Sequence, residues 1–290
     1  MLFLQLLING LQVGALYALT AVGFSLIFGS TKVFHFAHGS TFTIAAYVFY
    51  WLYSVAHVHW LLAALAAGAG AVVFGVFMDS CVYAPIQRHE GSYFTVFVAS
   101  FGAGIVVQNA VGMIFGRSFI SVSTPLSNSI ELAPGLFGSP LSLIAIACAV
   151  VFFVALQMFL MRTNAGIALR ALSENPELVR AFGLSPRILS TVVFALGSLL
   201  VVPAAILTAA STGLNPAIGH HVMLISLAAT IVGGVGSLRG AACAGLLLGL
   251  AENLALLWFP PQWSEAVTFI VLFLFILFRP SGFFGRPVNS

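Results

Sequence analysis

Charge is what this chain has least of. Of its 290 residues, 6% are Asp, Glu, Lys or Arg, where a soluble domain carries about a quarter, so a water-facing globule is excluded. The only lysine is Lys32, set between Thr31 and Val33. The chain therefore contains no G-x-x-x-x-G-K-[ST] phosphate loop and cannot be its own ATP-driven motor. Its three cysteines, Cys81, Cys148 and Cys243, fall in apolar runs without CxxC spacing, which gives neither a disulfide framework nor a zinc site; they read as small core residues. His89-Glu90 opens as H-E-x-x-H does, but Tyr93 stands where the second histidine is needed, so no metal site is expected. The formal net charge of +3 comes from scattered arginines and forms no basic stripe, which excludes nucleic acid as a partner.

What is present is apolar. The chain is 61% hydrophobic with a mean hydropathy of +1.12, and runs near the length of a spanning helix, about 20 residues, recur from end to end: 5 to 29, 40 to 56, 60 to 83, 93 to 115, 139 to 161, 188 to 211, 221 to 236, 240 to 258 and 264 to 279. The expectation is an all-α, polytopic transmembrane bundle of 8 or 9 spans, forming one domain over 1 to 290. No basic n-region precedes Lys32, so the first run reads as a retained span and not a cleaved signal. "GGVGSLRG" interrupts 221 to 258, which reads either as two crossings or as a broken, re-entrant pair.

Orientation follows the basic residues, which concentrate in cytoplasmic loops. With nine crossings, Lys32, Arg88, Arg239, Arg279 and Arg286 share a side with the loop 162 to 187, leaving Arg117 on the other. This puts the N-terminus outside and the C-terminus in the cytoplasm. The loop from 117 to 138 is polar and turn-rich, as an external loop should be.

The loop 162 to 187 gathers Arg162, Arg170, Glu174, Glu177, Arg180 and Arg187 in a chain otherwise short of charge. Residues 164 to 173 favour a helix. A second begins at Asn175-Pro176, with Asn175 as cap and Pro176 in the first helical position, and Gly183 closes it. Arg170 with Glu174, and Glu177 with Arg180, share faces, but such pairs contribute only about 0.2 to 0.5 kcal/mol each. Topology alone would need the arginines without an ordered amphipathic pair, so a docking surface is the stronger reading. Ile167, Leu172, Leu178, Val179 and Phe182 would be its apolar part.

"GIALRALSENPELVRAFGL" resembles the cytoplasmic loop of the membrane permeases of bacterial branched-chain amino acid ABC transporters. "VFHFAHGS" (33 to 40) is similar to that family's Asn-Phe-Ala-His-Gly-Glu block, and "GGVGSLRGAACAGLLLGLAEN" (233 to 253) to its late glycine-rich block, so the likeness runs over nearly the whole chain. His35 stands where the family usually has Asn, and Ser40 where it usually has an acid, which puts the exact amino acid in doubt. The resemblance implies that Gly166, Arg170, Ala171, Glu174, Asn175, Ala181 and Gly183 form the ATPase-coupling surface. It further implies a second homologous permease, two ABC ATPases that bind ATP and Mg in place of any cofactor here, and an external solute-binding protein. The setting is the bacterial inner membrane with its lipid, and the activity is transport of a small amino acid, not enzymatic chemistry. A permease for urea, amides or a sugar, and a channel or carrier without a motor, remain the alternatives.

Pathway candidates are fewer. His35 and His38 lie three apart and read as interfacial hydrogen bonders more readily than ligands, with Gly39 beside them at a helix start or re-entrant turn. Gly234, Gly236, Ser237 and Gly240 sit in the break, where glycine spacing signals close helix packing or a broken helix that exposes backbone to a solute. Glu252 with Asn253 is the clearest polar pair within an apolar run; an ionised group at mid-bilayer costs about 2.5 to 3.5 kcal/mol on insertion scales. Asn9, Gln12, Tyr17, Gln108 and Asn109 are weaker candidates for a polar lining. Asp79 and Arg88 are read at the inner boundary.

Overall fold

The computed structural model describes residues 2 to 89, 92 to 279 and 281 to 285; Glu90 and Arg286, named above, lie outside them. The helices are α1 (Leu2–Thr31), α2 (His38–Tyr50), α3 (Trp60–Phe77), α4 (Ala84–His89), α5 (Tyr93–Phe115), α6 (Pro140–Arg162), α7 (Asn164–Glu174), α8 (Pro176–Ala181), α9 (Pro186–Ser211), α10 (Ile218–Gly233), α11 (Leu238–Ala255) and α12 (Ser264–Phe278). A π-helical turn, Trp51–Val55, extends α2, and another, Met78–Tyr83, joins α3 to α4. Among the described residues, seven helical stretches are long and apolar enough to cross a membrane, and α10 is a shorter apolar helix. All nine apolar runs are helical, and the region 221 to 258 is two helices broken at 234 to 237.

α1 is the central element and packs along α11, α9, α10 and α6. Its C-terminal part lies beside α7, where Ser25, Gly29 and Ser30 share a cleft with Leu169 and Arg170. Small residues make its packing with α11 close: a Cβ on Gly14 would lie 2.8 Å from the Leu246 carbonyl oxygen. Lipid provides no hydrophobic drive between helices, so such backbone approach is a main source of their association.

α2 and α10 are the exceptions among the apolar helices. After Thr31 the chain turns back through 32 to 37, and α2 starts beside the middle of α1, with the His38 Nε2 donating to the Thr20 carbonyl at 3.1 Å. Thr20 lies roughly 16 Å from the C-terminal end of α1 at 1.5 Å rise per residue. The segment 212 to 217 does the same after α9, and the two helix starts meet: a Cβ on Gly39 would collide with the Gly219 carbonyl. From that point α2 runs toward the end of α5, where Tyr47 packs on Phe115 with ring centroids 5.0 Å apart, while α10 runs toward the α7 end, where Gly29 approaches Gly236. Each of these partial helices, taken with the re-entering segment before it, carries the chain from one end of the bundle to the other.

Irregular backbone at this depth must be satisfied by protein. For 32 to 37, the Phe36 amide donates to the Ser100 hydroxyl at 3.1 Å, while Phe34 packs on Phe24, Phe28 and Phe97. For 212 to 217, Leu214 exchanges backbone hydrogen bonds with Ile120. The polar loop after α5 is not wholly irregular: β1 (Ile130–Ala133) pairs antiparallel with β2 (Leu136–Gly138), and Gln5 binds both backbone groups of Phe137 at 2.8 Å.

Gly14→Val should lower the stability of the purified protein by about 1 to 3 kcal/mol through overpacking against α11. Gly102 has nothing within 4 Å of its Cβ position, so Gly102→Ala should be neutral or stabilising by up to about 1 kcal/mol. Thermal unfolding in detergent separates the two; equal melting shifts would refute the close-packing account of α1 and α11.

Candidate functional site

The helix pair α7 and α8 is built as the loop chemistry dictates. The Thr163 hydroxyl accepts from the Gly166 amide at 3.0 Å and starts α7. Asn175 Oδ1 accepts from the Glu177 and Leu178 amides at 3.0 Å each and starts α8. Gly183, at φ +79, makes the left-handed turn that ends it. Gly166 is buried against the backbone of Phe159 and Leu160, which lets α7 lie directly on α6. Leu169, Leu172 and Val179 point inward, while Ile167, Leu178 and Phe182 are 50%, 54% and 75% exposed. Of the seven coupling candidates, Arg170, Ala171, Glu174, Asn175, Ala181 and Gly183 are exposed and Gly166 is buried. The pair thus presents large apolar side chains among Arg170, Glu177 and Arg180 at the end of the bundle.

The start of α9, which follows this surface, is fastened to the turn between α3 and α4 by the acid expected at the inner boundary. Asp79, 3% exposed, accepts from Ser190 at 2.9 Å and Thr191 at 2.8 Å, and pairs with Arg187 at 3.7 Å. It sits in the π-helical turn 78 to 83, a geometry that often re-aims side chains at functional sites. The signal was present: Asp79 is the lone acid in its apolar run.

The pathway candidates fall in three places. His35, His38 and Gly39 lie at the meeting of the half-length helices. Both histidines are fully buried; His35 Nδ1 is 2.6 Å from the Tyr83 hydroxyl, and His35 Nε2 and His38 Nδ1 have no hydrogen-bond partner among the described residues. His35 thereby ties the start of α2 to Tyr83, and His38 ties it to the middle of α1. Beside them a pocket is lined by Phe36, Gly39, Ser40, Gln108, Gly219 and His220, so the two helix starts and the polar Gln108 converge there. Gln108 is the member of the weaker set that reaches this pocket.

Gly234, Gly236, Ser237 and Gly240 lie instead at the α7 end. Gly234 and Gly236 have φ of +98 and +84, and Ser237 caps α11 by accepting from the Gly240 amide at 3.1 Å. Gly236 and Ser237 line the same cleft as Arg170, Ser173 and Glu174, which joins the break to the helix pair.

Glu252 and Asn253 form the third place. Asn253 bonds its own helix, donating to the Gly249 carbonyl at 3.0 Å. Glu252, 5% exposed, accepts from Tyr17 at 2.9 Å and from the Thr268 hydroxyl. Tyr17 is also 3.4 Å from His221 Nε2, and His221 Nδ1 is 2.8 Å from Glu265. Sequence spacing gave no sign of His221, Glu265 or Thr268 as its company, since they come from different helices.

A family profile described as branched-chain amino acid transport system / permease component matches residues 6–276. The high-affinity branched-chain amino acid transport system permease protein BraD of Pseudomonas aeruginosa is 32% identical over 98% of this chain and 96% of its own length. The corresponding protein LivH of Escherichia coli is 27% identical over 98% and 96%, and a probable branched-chain amino acid transport permease protein of Methanocaldococcus jannaschii is 23% identical over 93% and 89%. Among solved structures, PsaBC from Streptococcus pneumoniae in complex with Fab superposes with a TM-score of 0.54 at 12% identity, over 96% of this chain and 92% of that one, a likeness of fold.

Asp79→Ala should strip Ser190 and Thr191 of their acceptor and lower local stability by about 1 to 3 kcal/mol. The readout is faster amide hydrogen exchange at the start of α9 with little change in α11. Unchanged exchange in the first turns of α9 would show that Asp79 does not hold this junction.

Proposed function

Because this chain belongs to the branched-chain amino acid transport permease family, we propose that it is the membrane-spanning permease subunit of an ATP-driven importer for branched-chain amino acids. It is a polytopic transport subunit and not an enzyme. ABC permeases work with ATPase and solute-binding partners. The finer composition we infer is a second homologous permease completing the pathway, two ATPases that bind ATP and Mg, and an external binding protein that delivers the amino acid.

The observation that carries this reading is the capped, ordered helix pair with Ile167, Leu178 and Phe182 exposed beside Arg170 and Arg180. Apolar anchors among arginines make a protein-docking surface, and a channel has no need of one. Lys32, Arg162, Arg170, Arg239 and Arg279 lie at this end of the bundle, while Arg117 closes α5 at the other. The basic bias supports a cytoplasmic placement for the α7 end, with the N-terminus outside and the C-terminus inside a bacterial inner membrane.

Motion would pass through rigid contacts. A push on α7 is felt by α6 through the glycine contact at Gly166, and one on the start of α9 reaches the α3 to α4 junction through Asp79. ATP binding would then shift the population between outward-open and inward-open arrangements by favouring the one in which the ATPases close.

Arg170→Glu should leave membrane insertion intact while reducing ATPase co-purification and ATP-dependent leucine uptake, by about 10-fold for a charge reversal at a docked position worth 1.4 kcal/mol. Mild-detergent capture with mass spectrometry and uptake in proteoliposomes make the measurement. Normal capture and uptake in the variant would remove the docking role, and capture of this chain alone from intact membranes would favour a motor-independent carrier.

A further inference from the structure

Glu252, Tyr17, His221 and Glu265 connect four helices, and counting their protons gives the connection a specific chemistry. Glu252 is buried, and among the described residues no lysine or arginine forms an ion pair with it. The facing groups are Tyr17 from α1, His221 from α10, and Glu265 and Thr268 from α12. His220, next in the chain, turns away to pack on Phe36 and Phe101.

Tyr17 has one hydroxyl proton but two neighbours, Glu252 Oε2 at 2.9 Å and His221 Nε2 at 3.4 Å. An ionised Glu265 only accepts, so His221 Nδ1, 2.8 Å from it, carries a hydrogen. Two arrangements then satisfy every contact. In one, His221 is an imidazolium whose Nε2 donates to the Tyr17 oxygen, Tyr17 donates to Glu252, and Glu252 is a carboxylate. In the other, Glu252 is the neutral acid and donates to Tyr17, Tyr17 donates to the bare Nε2, and His221 is neutral. Both hold the same number of protons. They interconvert when the Nε2 proton passes to Tyr17 and the Tyr17 proton passes to Glu252, one O–H or N–H bond breaking as the next forms.

We propose that Glu252 and His221 share one proton through Tyr17, forming a proton-binding site that connects the buried acid to the 60% exposed Glu265 side chain. Removing that proton leaves the Nε2 lone pair facing an oxygen lone pair of Tyr17, whose hydrogen is held by Glu252. The contact between α1 and the first turn of α10 is therefore kept on the acid side of the titration and lost as pH rises through it. Because His220 in the same turn lines the pocket at the meeting of the half-length helices, the proton bears on the geometry there.

The test uses the complete transporter in lipid nanodiscs and pH-difference infrared spectroscopy, which is independent of any substrate. The expected result is a carboxylic-acid carbonyl band that is present on the acid side and lost as pH rises. The band should be lost in Glu252→Gln, retained in Glu252→Asp and displaced in midpoint in Tyr17→Phe. Uptake should show a pH-dependent KM in the wild type that flattens in Glu252→Gln and returns in Glu252→Asp, a pattern that loss of packing alone would not produce. Should Glu252→Gln fail to fold, Tyr17→Phe decides through its midpoint. A wild-type spectrum without a titrating band, a band that persists in Glu252→Gln, or an unmoved midpoint in Tyr17→Phe would overturn the shared proton.

Discussion

The approach of Gly39 to Gly219 is the contact on which the rest of the arrangement depends. Two helices can begin inside a membrane protein only if their first turns, with unpaired amides, are enclosed by protein. Here they enclose each other, backbone against backbone, because neither residue has a side chain. The re-entering segments before them then need anchors, which explains why 32 to 37 is rich in phenylalanine and why Leu214 is paired with Ile120. α2 and α10 lead away from this contact toward opposite ends of the bundle, to Phe115 and to Gly29. Discontinuous helices recur in transporters, where their freed backbone groups face a polar solute.

A second consequence concerns how force travels. The helix pair α7 and α8 stands at one end, and its connections into the bundle are short and stiff: a glycine on backbone at Gly166, and a buried carboxylate at Asp79 holding two hydroxyls and an arginine. Packed interiors respond to a push by switching between arrangements more readily than by deforming continuously. The same end holds the break at 234 to 237, where Gly236 and Ser237 share a cleft with Arg170 and Glu174. The helix pair and the foot of α10 thus neighbour each other although some 60 residues of chain separate them, a distance that follows from their numbering alone.

Much of this was legible in the sequence, and the reasons divide by interaction range. Helices announced themselves through composition, and the α7 and α8 boundaries through local capping at Thr163, Asn175 and Gly183, because capping is chemistry within three or four residues. The break at 234 to 237 was legible for the same reason. The meeting of α2 and α10 was not. What brings their starts together is a contact between residues 180 positions apart. Nor do "KVFHFA" and "TGLNPA" resemble each other, so two segments with one structural task left no repeat to read. His35 and His38 read as hydrogen bonders from their type, but their partners Tyr83 and Thr20 come from distant parts of the chain and only the structure names them. Gln108, ranked lower, reaches the pocket because α5 turns that face toward the helix starts.

The meeting of two helix starts also has an electrostatic side. Each N-terminus carries roughly half a positive charge, so juxtaposing two in a medium of low dielectric is unfavourable unless acceptors are supplied. Asn215 Oδ1 accepts from the Ala217 amide at 2.9 Å, and the Ser100 hydroxyl accepts from Phe36. The Thr20 carbonyl can only accept, so His38 Nε2 carries its hydrogen and Nδ1 presents a lone pair in the first turn of α2. Ser40, in that turn, supplies a neutral hydroxyl to the pocket. The pocket beside Gly39 and Gly219 is therefore less negative here than an acid at that position would make it. A cation gains little from such a place, while a group that brings its own acceptors gains the amides left over from both helices.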